Sequence, residues 1–201
     1  ENATVFENAG RSFGMFQRHL SDYPMHNLHE TIKDFHNTPK RLDTLKKSIE
    51  ADVKGRASSV EAEIKFALDR TEDAKYVLDL HKEGLIPLRV THNDTKLNNI
   101  LFDMDTNEGI CVIDLDTIMP GLSLYDFGDA IRFGGNTTFE DDDNLDNVKI
   151  SIELFESFAR GFLSACAKAL TRTEVECLAF SAKLMTFECG VRFLTDYIDG
   201  D

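Results

Sequence analysis

The chain has 201 residues, 42% of them hydrophobic and 15 of them Phe, enough apolar material for one buried core, and it carries a formal net charge of −14. That charge speaks against nucleic acid and anionic membrane surfaces as partners. No apolar run approaches a membrane span, no signal peptide opens the chain, and Cys111, Cys166, Cys177 and Cys189 form no C-x-x-C pair, so buried reduced thiols and a cytoplasmic setting are expected.

Val5, Phe6, Ala9, Phe13, Phe16 and Leu20 recur at helical spacing and predict an amphipathic first helix. Residues 22–39 read as irregular. His26, His29 and His36 fall there without a clear fourth ligand, and surface or loop histidines are expected rather than a metal site. Leu42, Leu45, Ile49 and Val53 predict a second helix ending near Gly55. Val60, Ile64, Ala67 and Leu68 give a third, and Ala74, Val77, Leu78 and His81 a fourth that stops at Gly84.

Ile100-Leu101-Phe102 and Ile110-Cys111-Val112-Ile113 are short β-rich runs joined by the polar turn 103–109. An antiparallel hairpin placing Leu101 near Val112 brings Asn99 beside Asp114. Beyond it, residues 120–133 hold a helix from about Ser123, and residues 134–147 form an acidic loop containing Glu140-Asp141-Asp142-Asp143. Two long helices close the chain, the second entered by the capping box Thr173-Glu174-Val175-Glu176.

The stretch His92-Asn93-Asp94-Thr95-Lys96-Leu97-Asn98-Asn99 has the H-x-D-x-x-x-x-N spacing of phosphoryl-transfer loops, with Asp114 downstream. Asn99 and Asp114 offer one amide oxygen and one carboxylate, oxygen ligands suited to magnesium, and Asp116 is a second candidate ligand. Asp94 is placed to orient an attacking hydroxyl and accept its proton. Lys96 is placed to neutralise charge on the moving phosphoryl group. His92 is expected to support the loop. An isolated His-x-Asp means little, but five such residues in order around a hairpin favour the catalytic reading.

These strings resemble the aminoglycoside phosphotransferase and choline kinase group, whose fold is similar to that of protein kinases. Thr91 to Asn99, Asp114-Leu115-Asp116-Thr117-Ile118-Met119-Pro120-Gly121 and Tyr125 to Phe133 look more specifically like N-acetylhexosamine 1-kinases, as do Leu28-His29-Glu30-Thr31-Ile32 and Phe35-His36-Asn37-Thr38-Pro39. The resemblance implies ATP and Mg2+ as cofactors and an amino sugar as the small-molecule substrate. Choline, ethanolamine or an aminoglycoside is the alternative acceptor, and a non-catalytic pseudokinase module the alternative of another class.

A kinase also needs a small β-rich lobe with a phosphate-binding lysine, whereas residues 1–90 read as almost wholly helical with no G-x-x-x-x-G-K-[ST] and no G-x-G spacing. The expectation is therefore an α+β, mainly helical fold over residues 1–201. It would be the C-terminal lobe of a protein-kinase-like enzyme, with a small catalytic β-hairpin and with the N-terminal lobe of the same protein as its partner. Asp126 resembles a family position whose carboxylate braces the catalytic loop; stabilisation by the helix dipole is the equal alternative. Arg192, a charge among apolar residues, either pairs with a carboxylate or forks onto sugar hydroxyl and acetamide oxygens. Phe133 is a candidate aromatic face for the sugar ring, against the rival of an ordinary core Phe.

Overall fold

The computed structural model describes residues 2–138 and 144–201, so the acidic run expected at 140–143 lies outside the described residues. In chain order the helices are α1 (Ala3–His19), α2 (Thr38–Ala51), α3 (Glu61–Leu68), α4 (Thr71–Lys82), α5 (Ser123–Gly134), α6 (Ile152–Cys166), α7 (Arg172–Glu176) and α8 (Leu178–Asp199). Between α4 and α5 lie β1 (Arg89–Thr91), β2 (Ile100–Phe102), β3 (Gly109–Val112) and β4 (Met119–Gly121). They form two antiparallel ribbons, β1 with β4 and β2 with β3. The fold is thus mainly helical with small two-stranded sheets, compatible with a kinase-like α+β architecture. Among the described residues, no helix is long and apolar enough to cross a membrane.

Helix α1 starts where Asn2 Oδ1 accepts the Thr4 N–H at 2.8 Å, satisfying one of the orphan donors of the first turn. Its stripe of Phe6, Ala9 and Phe13 is buried, and the helix lies against α6 at backbone distance. A Cβ on Gly161 would stand 1.9 Å from the Glu7 carbonyl oxygen. Phe158 and Phe162 of α6 then close over Phe127 of α5 with ring centroids 5.5 and 5.4 Å apart, in edge-on contact. Each of these fully buried Phe side chains contributes about 1.5–3 kcal/mol of transfer free energy. Helix α5 in turn rests on α8, where a Cβ on Gly128 would meet the Ser181 carbonyl oxygen at 2.4 Å. Leu42, Leu45, Ala67, Ala74, Val191 and Ile198 make a second cluster, fixing α2, α3 and α4 to the far half of α8.

Three expectations are corrected. The hairpin pairs Ile100 with Val112 and Leu101 with Cys111, one residue away from the expected register. The turn closes at Asp103, whose N–H donates to Glu108 O at 2.8 Å, and only Ile110 is added as a bulge before Leu101 meets Cys111. The capping box is Thr171 with Glu174 rather than 173–176, because the Glu174 carboxylate reaches back to the Thr171 N–H at 2.6 Å. It opens the short α7, after which α8 starts at Leu178. The cysteines form no disulfide among the described residues, and Cys166 and Cys177 are buried, but Cys189 is half-buried and Cys111 is exposed, since the two-stranded ribbon presents that face of β3 to solvent. His26 and His29 are surface residues and His36 a loop residue, as expected, and the His36 ring turns inward against Glu188 and the Asn93 carbonyl.

Candidate active site

The loop from His92 to Asn99 leaves β1 and enters β2, and its shape is imposed from below by α5. Asp126, in the first turn of α5, is buried and accepts three hydrogen bonds: His92 N–H at 3.0 Å, Asn93 N–H at 2.8 Å and Gln17 Nε2 at 2.6 Å. Burial pushes the Asp126 carboxyl pKa up, with those three donors working against the rise. Asp126 is therefore a brace of the loop. One turn on, Asp129 Oδ2 accepts the Thr95 N–H at 3.1 Å while Oδ1 accepts from Arg132 Nε at 3.0 Å. Thr95 Oγ1 donates to the Asp126 carbonyl at 2.5 Å. Loop and helix are thus tied at both ends of a single turn.

His92 is structural, as its sequence context suggested. Its ring Nε2–H donates to Ile113 O at 2.9 Å and its edges meet Phe13 and Phe16. Asn93 adopts a left-handed backbone with φ 66°, a conformation Asn tolerates better than most residues. Its Nδ2 donates to Thr117 O at 2.8 Å, which ties the loop to the segment after β3.

Asp94 comes next, with its carboxylate held on both oxygens. Lys96 Nζ lies 3.0 Å from Oδ1, and Asn99 Nδ2 donates to Oδ2 at 3.0 Å and to the Asp94 carbonyl at 2.8 Å. Asp94, Lys96 and Asn99 are therefore brought together as the sequence spacing implied. Ile113 N–H donates to Asn99 O at 2.9 Å, so Asp114 stands one residue past the pair. Its left-handed backbone (φ 61°, ψ 63°) turns the chain two residues after β3 ends at Val112. The Asp114 and Asp116 side chains are exposed and carry no hydrogen bond or ion pair among the described residues.

A cavity of about 260 Å³ opens beside this loop, lined by Asp94, Lys96, Asn93 and Thr117, by Asp129 and Arg132 of α5, by Phe35, His36 and Arg41, and by Glu188, Arg192 and Phe193 of α8. Arg192 is exposed, forms no ion pair among the described residues and sets its guanidinium 5.0 Å from the Phe193 ring. Phe133 is not in the lining. It follows Arg132 by one helical step of about 100°, which turns it away, and Phe35 and Phe193 supply the aromatic faces instead. A larger groove of about 1090 Å³ runs between α3, α6 and α8, but it is apolar and holds none of the loop's polar groups. The loop's polar groups face the smaller cavity.

Residues 7–162 match the model of the phosphotransferase enzyme family, APH. The chain belongs to that family. This phosphotransferase is thus one of the kinase-like superfamily, whose members generally work with ATP and Mg2+. Asn99 and Asp114 have the donor chemistry to hold such a cation. Both protons of the Asn99 amide are directed at Asp94, which leaves Asn99 Oδ1 free as an acceptor, and the Asp114 carboxylate is exposed and unpaired among the described residues. An amide oxygen and a carboxylate are oxygen donors of the kind magnesium accepts alongside phosphate and water.

Sequence reasoning missed the buried cluster opposite Asp94 in the phosphotransferase. Glu188 Oε1 accepts from His36 Nδ1 at 2.9 Å, and Oε2 accepts from Thr38 Oγ1 at 2.6 Å. Arg41 Nε stands 3.3 Å from the same carboxylate. Burial opposes ionisation of Glu188, but His36, Thr38 and Arg41 outweigh it and hold its pKa below the ordinary value. The available signal was Glu188 on the same α8 stripe as buried Met185, a carboxylate where only a paired one is tolerated. Arg89 was missed as well. It forks onto Glu174 with two contacts of 2.7 Å, and Ser123 Oγ donates to the same carboxylate at 2.7 Å, anchoring β1, α5 and α7 together.

Proposed function

We propose that this phosphotransferase transfers the γ-phosphoryl group of ATP to a hydroxyl of a small polar acceptor, the anomeric hydroxyl of N-acetylglucosamine or N-acetylgalactosamine, in the cytoplasm. The observation that carries the reading is the polar cavity of about 260 Å³ with Asp94 on its wall. Asp94, Lys96, Asp129, Arg132 and Arg192 give that wall polar groups of both signs, which suits the hydroxyls of a small polar acceptor. Arg192 beside Phe193 offers an uncommitted guanidinium over an aromatic face, suited to hydroxyl and acetamide oxygens. A choline-type cation would meet that charge at close range, which argues against the amino-alcohol alternative. Asp94, Lys96, Asn99 and Asp114 are all present, a set that a non-catalytic module does not require.

In this reading the acceptor hydroxyl donates to Asp94 and attacks the γ-phosphorus. The new O–P bond forms as the bond to the bridging oxygen of ADP breaks, and the hydroxyl proton passes to the Asp94 carboxylate. Lys96 holds that carboxylate and offers positive charge to the phosphoryl oxygens. Asn99 and Asp114, with Asp116 as a further candidate, would hold magnesium, which supplies charge neutralisation of the phosphates when bound. We assign residues 1–201 to the substrate-binding and catalytic lobe, working with an N-terminal nucleotide lobe of the same protein. The test is product formation by the full-length protein from MgATP and a panel of N-acetylglucosamine, N-acetylgalactosamine, choline, ethanolamine and an aminoglycoside. A sugar 1-phosphate seen by 31P NMR is the expected product; phosphocholine or a phosphorylated aminoglycoside as the sole product would overturn the acceptor assignment.

A further inference from the structure

The peptide unit between Asn93 and Asp94 is held at both of its polar ends by histidines. Its carbonyl oxygen faces His36 Nε2 at 3.1 Å, and its N–H points at His92 Nδ1 at 3.3 Å. His92 commits its Nε2–H to Ile113 O, so its Nδ1 is free to accept. His36 is in a different position. Both of its ring nitrogens face acceptors, the Asn93 carbonyl on one side and Glu188 Oε1 at 2.9 Å on the other. A neutral imidazole has one N–H and satisfies one of them; only the imidazolium satisfies both.

We propose that His36, as an imidazolium clamped between Glu188 and the Asn93 carbonyl, is a positioning residue that aims Asp94 by fixing the peptide plane in front of it. The proposal rests on Asp94 being the group that orients the acceptor. The orientation of that plane sets the direction in which the Asp94 side chain leaves the backbone, and Asn93 is already in a left-handed conformation that needs external support. The groups facing the His36 site are Glu188 of α8, Asp129 and Tyr125 of α5, Arg41 of α2, and Asp94 and Lys96 across the cavity. Burial disfavours the charged ring, but Glu188, the Asn93 carbonyl and Asp129 outweigh it and hold the His36 pKa above its ordinary value. When pH rises and the ring loses a proton, the remaining one stays on Nδ1 against the Glu188 carboxylate. The Nε2 lone pair then opposes the Asn93 oxygen, and the plane is released.

The primary test is NMR on the full-length protein carrying 15N-labelled histidine, the His36 signals being assigned by their loss in His36→Gln. The expected result is a ring protonated on both nitrogens that titrates above about 6.5, the ordinary histidine value, with the Asp94 amide resonance moving at the same midpoint. A ring titrating at or below about 6.5, or an Asp94 amide indifferent to it, would overturn the proposal. A kinetic arm uses MgATP and N-acetylglucosamine. His36→Gln keeps a donor toward the Asn93 carbonyl and does not ionise, so it should retain several-fold more kcat than His36→Leu while the alkaline limb due to His36 disappears. His36→Leu should lower kcat roughly 10- to 100-fold with both KM values nearly unchanged, as misaiming without loss of binding requires. Equal losses in the Gln and Leu variants, with an unaltered pH profile, would contradict positioning. Asp94→Ala run alongside separates the two levels. If it turns over like the parent enzyme, the site reading falls; if it is inactive while His36→Leu keeps its full kcat, the positioning role alone falls.

Discussion

The Asn93 N–H donates to Asp126 Oδ1 at 2.8 Å, which makes a carboxylate at the start of α5 the template for the backbone that presents Asp94. Asp126 Oδ2 takes both the His92 N–H and Gln17 Nε2. In Asp126→Asn the new amide nitrogen would face a donor from His92, and a flip of Gln17 relieves only its own contact. The expected cost is about 1–3 kcal/mol for the stranded buried donor. Urea denaturation of the two proteins measures it; equal midpoints would mean the loop does not depend on this brace.

Two glycines test the packing by opposite outcomes. Gly161→Ala places a methyl 1.9 Å from the Glu7 carbonyl oxygen, so α1 and α6 must part, and a loss of about 2 kcal/mol or more is expected. Gly190→Ala, in the middle of α8, meets nothing within 4 Å and should stabilise by up to about 1 kcal/mol through helix propensity. Thermal unfolding of both variants reads the contrast directly, and a stability loss in both would show that α8 packs more tightly than the structure has it.

Glu174 is buried and receives Arg89, Ser123 and the Thr171 N–H, and these hold its pKa below the ordinary value even though burial works the other way. Removing the carboxylate in Glu174→Ala leaves the Arg89 guanidinium buried without its partner, at an expected cost of about 3–5 kcal/mol. A denaturant midpoint within error of the parent protein would show the pair to be dispensable.

The His36–Glu188 pair makes stability depend on pH from both sides. With the His36 pKa raised, its contribution is complete below the unfolded value of about 6.5 and is lost as pH rises through the folded value. With the Glu188 pKa lowered, its contribution is complete above about 4.3 and is lost as pH falls through the folded value. The stability difference between the parent protein and His36→Gln should therefore be largest near pH 5–6 and shrink toward roughly pH 9. Urea unfolding across that range checks it; a difference that grows with pH would contradict the charged assignment.

Much of the framework was legible because period and punctuation agree in this chain. The apolar stripe of α1, the helix starting at Ser123 and the hairpin all follow from local pattern, and the loop spacing brought Asp94, Lys96 and Asn99 together. Register was less legible, since one bulge at Ile110 depends on how the Asp103 turn closes. The cluster of His36, Thr38, Arg41 and Glu188 was hidden for a different reason. Its members are as much as 152 residues apart in sequence, and no local period announces a pairing made only by the packing of α8 on the loop before α2. The β1–β4 ribbon escaped notice similarly, each strand being three residues long and one of them carrying Pro120.

The central claim, that Asp94 orients the acceptor hydroxyl and takes up its proton, is tested most directly by steady-state turnover of full-length Asp94→Asn with MgATP and the sugar acceptor. Asn keeps the size of Asp and one acceptor oxygen but cannot take up the proton. The expected result is a kcat lower by a factor on the order of 10²–10⁴, with the sugar KM within about threefold of the parent value and an unchanged circular dichroism spectrum. A kcat near that of the parent enzyme would contradict the account.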